Sequence, residues 1–333
     1  SIVPNAEQKA VFANPYGNEP LKFNKTDVKS TVLLPTLGGY TRIKGLSVGG
    51  GVYVPMGYSS KWEDTVGTLT GTYEMEAYET IYDISVAKEL IPNLSLGVSL
   101  NLISGRLAKH AKKTYGYEYT IDFKGDGTGF EGVIGGLYKI QPNLSVGFVY
   151  RTGSKITFDG SAKRIHTAAP SFNHQTDYEQ VFRHPATLGL GIAYKPTNKL
   201  TLTTDWNQTD WSSQKDEITY TTQGTTPPFV NTNNESGWKD TNKIRLGGEY
   251  KLNTAWTLRA GFLTDPSPVP DKAVSLTNLI DLDRTFQTIG AGYSYGNWQF
   301  DFGCLHTKTD KTIDGVKYER SSDSINVASS YRF

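Results

Sequence analysis

The chain ends Asp323-Ser324-Ile325-Asn326-Val327-Ala328-Ser329-Ser330-Tyr331-Arg332-Phe333. Counting back in twos from Phe333 gives Tyr331, Ser329, Val327 and Ile325, a mostly apolar row that finishes on two aromatics. The other parity gives Arg332, Ser330, Ala328, Asn326 and Ser324, all small or polar. A period of two with one apolar and one wet face is a strand between lipid and water. A soluble sandwich can also end on a strand, but a last strand that stops on Phe, with Tyr two before it, marks a bacterial outer-membrane barrel.

The same alternation recurs upstream. Leu94, Leu96, Val98, Leu100 and Leu102 oppose Ser95, Gly97, Ser99, Asn101 and Ile103. Ile244, Leu246, Gly248, Tyr250 and Leu252 oppose Lys243, Arg245, Gly247, Glu249 and Lys251. A charged inner face does not suit a sandwich, whose inner faces form a dry core, and does suit a barrel with a wet lumen. Short turns introduce these strands: Lys44-Gly45, Pro92-Asn93, Pro142-Asn143, Thr197-Asn198, Asn253-Thr254 and Gly296-Asn297. Their Pro, Asn and Gly supply turn dihedrals. Six such turns imply twelve flanking strands and the terminal strand makes thirteen. Because single-chain bacterial barrels have an even number, the expectation is an all-β, transmembrane antiparallel β-barrel of about fourteen strands. Its first strand is either weak within residues 1–12 or missing. Long outer loops are expected over 56–72, 106–128, 159–180, 209–240, 264–284 and 308–322, and residues 1–333 are read as one barrel domain.

Composition agrees. Hydrophobic residues make up 37%, too few for a helical membrane protein, yet enough where only alternate residues face lipid. The 20 Tyr, 14 Phe and 34 Gly suit strands, aromatic girdles and tight turns. A net charge of +1 implies no polyanionic partner, and so no nucleic acid. A lone Cys304, on the outward parity with Trp298, Phe300 and Phe302, rules out an internal disulfide and a Cys-based zinc site. Without an initiator Met or signal peptide, the chain reads as processed or trimmed.

Several stretches resemble the FadL/TodX family of outer-membrane channels for hydrophobic compounds. The densest similarity runs through Trp211-Ser212, Gly237-Trp238-Lys239-Asp240, Ile244-Arg245-Leu246-Gly247, Trp256-Thr257-Leu258-Arg259-Ala260-Gly261 and Asp265-Pro266-Ser267-Pro268-Val269-Pro270. Val54-Pro55-Met56-Gly57 and Ile156-Thr157-Phe158-Asp159-Gly160 also fit. The resemblance implies a monomeric barrel in the bacterial outer membrane, in contact with its lipid and lipopolysaccharide. It implies passive uptake of small hydrophobic compounds, aromatic hydrocarbons or long-chain fatty acids, and sideways exit where an early strand kinks. Gly49, Gly50, Gly51, Pro55 and Gly57 are the candidates for that lateral gate, since glycines weaken pairing and Pro cannot donate to a ladder. A general or solute-specific aqueous porin is the alternative.

The chain departs from the family in two ways. The N-terminal plug that precedes the first strand in the family has no room here. Where fatty-acid-binding members place basic residues, this chain has Ala111 and the neutral run Asn231 to Asn234, with Lys109, Lys112 and Lys113 close by. That favours an uncharged substrate, because burying an unpartnered carboxylate is costly.

Apolar side chains on the inward parity are the candidate ligand-binding residues: Ile103, Val133, Leu137, Val149, Leu263 and Leu305. Contact with a plug or with inward-folded loops would explain them equally well. Arg151, Asp205, Arg245, Glu249 and Arg259 read as an interstrand ion ladder. Asp122 to Gly129 could hold a cation but reads as a flexible loop tip. The five histidines His110, His166, His174, His184 and His306 lie mostly in or beside the expected loops, none at metal-ligand spacing. No nucleophile elbow or phosphate loop is present. The expectation is therefore a channel without cofactor or metal, and not an enzyme.

Overall fold

A computed structural model describes all residues except 1, 13–20, 23–31, 67–68, 226–227 and 275–280. Among the described residues every strand pairing is antiparallel, with three short 3-10 turns at Pro170–Phe172, Trp211–Ser213 and Asp271–Ala273. It begins with β1 (Ile2–Phe12), β2 (Leu21–Lys22), β3 (Val32–Leu33), β4 (Thr36–Ile43) and β5 (Leu46–Val66). Three very long strands follow, β6 (Leu69–Ile91), β7 (Leu94–Thr114) and β8 (Glu118–Gln141). Next come β9 (Leu144–Arg151), β10 (Ser154–His166), β11 (His174–His184), β12 (Thr187–Tyr194) and β13 (Leu200–Thr209). The last third contains β14 (Lys215–Tyr220), β15 (Thr232–Glu235), β16 (Thr241–Lys251), β17 (Trp256–Asp265), β18 (Arg284–Tyr295), β19 (Trp298–Ile313) and β20 (Val316–Tyr331).

The ladders follow one another around the wall. From β20 they run through β19, β18, β17, β16, β13, β12, β9, β8, β7, β6 and β5 to β4. β1 supplies the seam. It pairs with β20 from Ile2↔Ile325 to Val11↔Lys317, and with β3 through Ile2↔Leu33 and Val3↔Val32. Of the two alternatives for the first strand, the structure has the strand within residues 1–12, at Ile2–Phe12. β1 thus joins the two ends over the outer half of the wall, where an open edge would leave backbone groups unpaired; among the described residues β4 itself pairs with β5 alone.

The alternation sorts side chains as two solvents require. Val98, Leu100 and Leu102 on β7, Leu190 and Ile192 on β12, and Ile244 and Leu246 on β16 stand exposed on the outside. Trp298, Phe300, Phe302, Ile325, Val327 and Tyr331 continue the apolar band around to the seam. Trp256 with Tyr293, and Trp298 with Tyr331, pack as tilted ring pairs with centroids 4.8 Å apart beside the short turns, as an aromatic girdle does. The first of those turns carries Lys44 at φ 52 and Gly45 at φ 80, the left-handed pair of a two-residue hairpin turn.

At the opposite end the expected loops are largely strand. β5–β6 and β7–β8 are hairpins that carry the wall well beyond the apolar band. β10, β11, β14 and β15 extend the sheet above β9, β12, β13 and β16. Asp122 to Gly129 lies within β8, laddered to β7 throughout and to β10 as far as Thr128, and is not a loop tip. The extensions pack inward. Ala162, Tyr178 and Phe229 form one buried cluster with Phe123 and Tyr220 against it. Val269, Val274, Leu282, Ile313 and Tyr318 form another, with Tyr73 and Trp238 packed on it, so the loop after β17 folds into the mouth of the barrel.

Candidate functional site

The site starts from a fault in one ladder. β5 and β6 pair without interruption from Ser47↔Ala87 to Tyr53↔Ile81, and the next pair is Met56↔Glu79. Val54 and Pro55 thus oppose Thr80 alone, a bulge of two residues against one. Pro55 has no N–H to give, so the extra residue falls where the strand already lacks a donor. On the other edge of β5 the ladder with β4 ends at Thr36↔Tyr53. Val54 N–H still donates to Pro35 C=O at 3.2 Å, and beyond it no described strand pairs with that edge of β5. The glycines behave differently. Gly49, Gly50 and Gly51 are paired on both sides, with Tyr40, Gly39 and Gly38 of β4 and with Ser85, Ile84 and Asp83 of β6. Gly57 pairs with Tyr78. Of the gate candidates, Pro55 alone sits at the interruption.

Behind Pro55 lies a cavity of about 440 Å³ inside the barrel. Ile81, Ile103, Val149, Pro185 and Trp211 give it apolar wall, and Glu131, Arg151, His184, Lys243 and Arg245 give it charge. Most of that charge is closed on itself. The Arg151 guanidinium donates through Nε to Glu131 Oε1 at 3.0 Å and through Nη2 to Glu131 Oε2. Asn101 Nδ2 donates to the same carboxylate at 2.8 Å. Lys243 meets Asp265 at 2.5 Å, and Arg245 donates to the neutral Asn207. Further down the lumen Arg259 bridges Glu249 at 2.8 Å and Asp301 at 2.5 Å. The expected ion ladder thus forms around Arg151 and Arg259, whereas Asp205 and Arg245, opposite one another in register, make no direct ion pair.

A polar contact joins two strands that are not neighbours in the sheet. His184 Nε2 on β11 lies 3.0 Å from Glu79 on β6. Four ladder steps separate these strands, about 19 Å along the wall at the usual strand spacing. Glu79, at the first pair beyond the bulge, thus ties β6 to β11.

Of the candidate binding residues, Ile103 and Val149 line the cavity. Val133 and Leu137 lie lower on β8, opposite Ser99 and Ser95 of β7. Leu263, opposite Arg245, and Leu305, opposite Thr288, are on the β16–β19 wall and do not join the cavity. Glu79, Glu131 and Trp211 were missed as site residues. Strict parity along β8 would have turned Glu131 inward; nothing local marks Glu79. Of the histidines, His110 and His306 pair with Asp122 and Asp323 at 2.6 and 2.7 Å. Among the described residues no group of three His, Cys, Asp or Glu is placed to hold a metal.

In the outer extension, burial pushes the Tyr178 hydroxyl up to about 12 and raises the Asp281 carboxyl. Hydrogen bonds from Ser212 lower Asp240. These groups lie outside the cavity.

Residues 3–328 match the family described as outer membrane protein transport protein (OMPP1/FadL/TodX). The chain belongs to that family. It is 25% identical to a 47 kDa outer membrane protein of Pasteurella multocida over 99% of this chain and 84% of that one. It is 26% identical to a long-chain fatty acid transport protein of Escherichia coli over 58% of this chain and 45% of that one. Among solved structures, a Pseudomonas aeruginosa FadL homologue superposes with a TM-score of 0.77 at 16% identity, covering 99% of this chain and 89% of that one. The Pseudomonas putida toluene transporter TodX gives 0.75 at 14% identity, covering 100% and 87%. The protein is thus an outer-membrane β-barrel of a family of transporters for hydrophobic compounds.

Proposed function

We propose that the chain is a passive, monomeric channel, and not an enzyme, formed by a single barrel domain in contact with outer-membrane lipid and lipopolysaccharide. A small hydrophobic compound passes from the outer extension into the cavity and leaves sideways through the wall at Val54–Pro55. The observation that carries this reading is the coincidence of the β5 bulge with a partly apolar cavity directly behind Pro55. A sheet yields most easily where its ladder is already interrupted. The closed ion pairs leave the apolar wall as the surface offered to an uncharged guest, and such sites bind mainly through apolar contact. The reading also draws on relatives named for toluene and for long-chain fatty acids.

The charged lower lumen favours a second reading, an aqueous porin, and conductance separates the two. In planar bilayers the full-length protein is expected to show no large steady ionic conductance, because packed clusters fill the outer end. A large constant conductance overturns the channel for hydrophobic compounds in favour of the porin.

A further inference from the structure

An apolar cluster lies between the outer extension and the cavity. Ile81, Ile103, Leu107, Ile156 and Phe158 pack together, with Met75 and Phe182 against them. Ile156 is 0% exposed, Ile103 2% and Phe158 5%. Ile81 and Ile103 belong both to this cluster and to the cavity lining, so the cluster is the cavity's outer cover.

The way Phe158 is seated is unusual. Phe158 pairs in register with Gly127 of β8, and Gly127 pairs with Gly105 of β7. The three lie in one row across adjacent strands, all on the inner parity. A Cβ added at Gly127 would meet the ring at 3.0 Å, and one at Gly105 would meet it at 2.9 Å. The ring therefore lies flat along the wall, over two residues that have no side chain. Glycine weakens a strand interior unless something has to approach its backbone closely. Here that something is Phe158.

We propose that Phe158 determines which hydrophobic molecules pass into the cavity, and that Gly105 and Gly127 form the slot in which its ring lies. The inference rests on the channel reading above. A molecule crossing the cluster has to part Phe158 from its neighbours, and the slot sets how much width the ring takes from the passage. An all-apolar cover admits a solute that sheds its water cheaply and refuses a hydrated ion.

Two substitutions move the ring in opposite senses. Gly105→Ala is the cleaner of the slot variants, because the added Cβ meets the Phe158 ring and only then Glu79 Cγ, at 3.7 Å. At Gly127 it would also strike Thr157 C=O at 2.6 Å and strain the sheet itself. Gly105→Ala pushes the ring off the wall and narrows the passage; Phe158→Ala widens it. The test measures entry of toluene and of the larger naphthalene into cells expressing the full chain, against cells without it. Folding is checked on the same samples by the heat-dependent gel shift of barrels. Gly105→Ala is expected to lower the naphthalene-to-toluene entry ratio about tenfold, the scale on which apolar pockets discriminate a change of this size. Phe158→Ala is expected to raise the ratio, and the double variant to return it towards or above wild type. If Gly105→Ala does not fold, Phe158→Ala alone decides by whether the ratio rises. Ratios unchanged in folded variants, with both compounds entering through the wild type, overturn the role of Phe158. Failure of the wild type to pass either compound overturns the channel reading instead.

Discussion

Deleting Pro55 is expected to reduce entry of hydrophobic compounds to the level of cells lacking the protein, while leaving a folded barrel. The bulge sets Val54 and Pro55 against Thr80 alone. With one residue removed, Val54 falls opposite Thr80 and the pairs Tyr53↔Ile81 and Met56↔Glu79 become consecutive parts of one uninterrupted ladder. Each regained backbone hydrogen bond contributes about 1 kcal/mol, so the wall beside the cavity closes and the barrel loses no stability. Pro55→Ala is the matched control. It restores a donor but keeps the extra residue, so the two-against-one pairing stays and entry is expected to persist. Toluene entry with either variant, read beside the heat-dependent gel shift, checks both expectations. Unchanged entry with the deletion would remove the lateral exit from the account and require a path through the barrel's inner end.

The bulge also shows where sequence reasoning stopped. Alternation of the spanning strands was legible because lipid and a wet lumen impose opposite demands on successive residues, as Leu100 and Asn101 illustrate: one is 54% exposed on the outside, the other 2% exposed within. The short turns were legible because Lys44-Gly45 and its counterparts need particular dihedrals. The outer hairpins were not. Beyond the membrane both faces tolerate polar residues, so 106–128 carries no two-solvent contrast and reads as loop, although β7 and β8 run through most of it. Its inward contacts are long-range. Gly125 and Gly127 resemble a flexible tip in isolation and are the seats of Tyr178 and Phe158 in the fold. The Gly49–Gly51 run pointed to the right strand but to the wrong residues for the interruption. Glycine keeps both its N–H and C=O and stays in the ladder, while proline cannot. The cavity was half legible. Parity found Ile103 and Val149, but not that His184 of β11 and Glu79 of β6 meet at the same cavity.

The second large effect is expected at Arg151, and it is asymmetric. Arg151 and Glu131 form one pair, but their side chains are 36% and 6% exposed. Removing either partner of a buried pair leaves the other uncompensated, and the cost follows the one left in the drier place. Arg151→Met strands the Glu131 carboxylate with only Asn101 Nδ2 for a partner, and Asn101 is itself 2% exposed. That variant is expected to lose about 3 kcal/mol of barrel stability, the lower end of the range for breaking a buried pair because the lumen wets one side. Glu131→Gln leaves a cation that reaches water and an amide oxygen that still accepts from Asn101, so about 1 kcal/mol is expected. Exchanging both residues, Glu131→Leu with Arg151→Met, removes the charge problem and takes a partner only from the neutral Asn101 and Tyr53. The double variant is therefore expected to be more stable than Arg151→Met alone, a coupling that independent sites do not show. Urea unfolding in lipid vesicles, followed by tryptophan fluorescence, measures all three. Equal losses for the two single variants would mean that Glu131 is as wet as Arg151, and that the charge at the cavity wall is solvated instead of closed on itself. In that case the cavity would offer a guest water and ions before apolar surface, and the porin reading would gain what the hydrophobic channel lost.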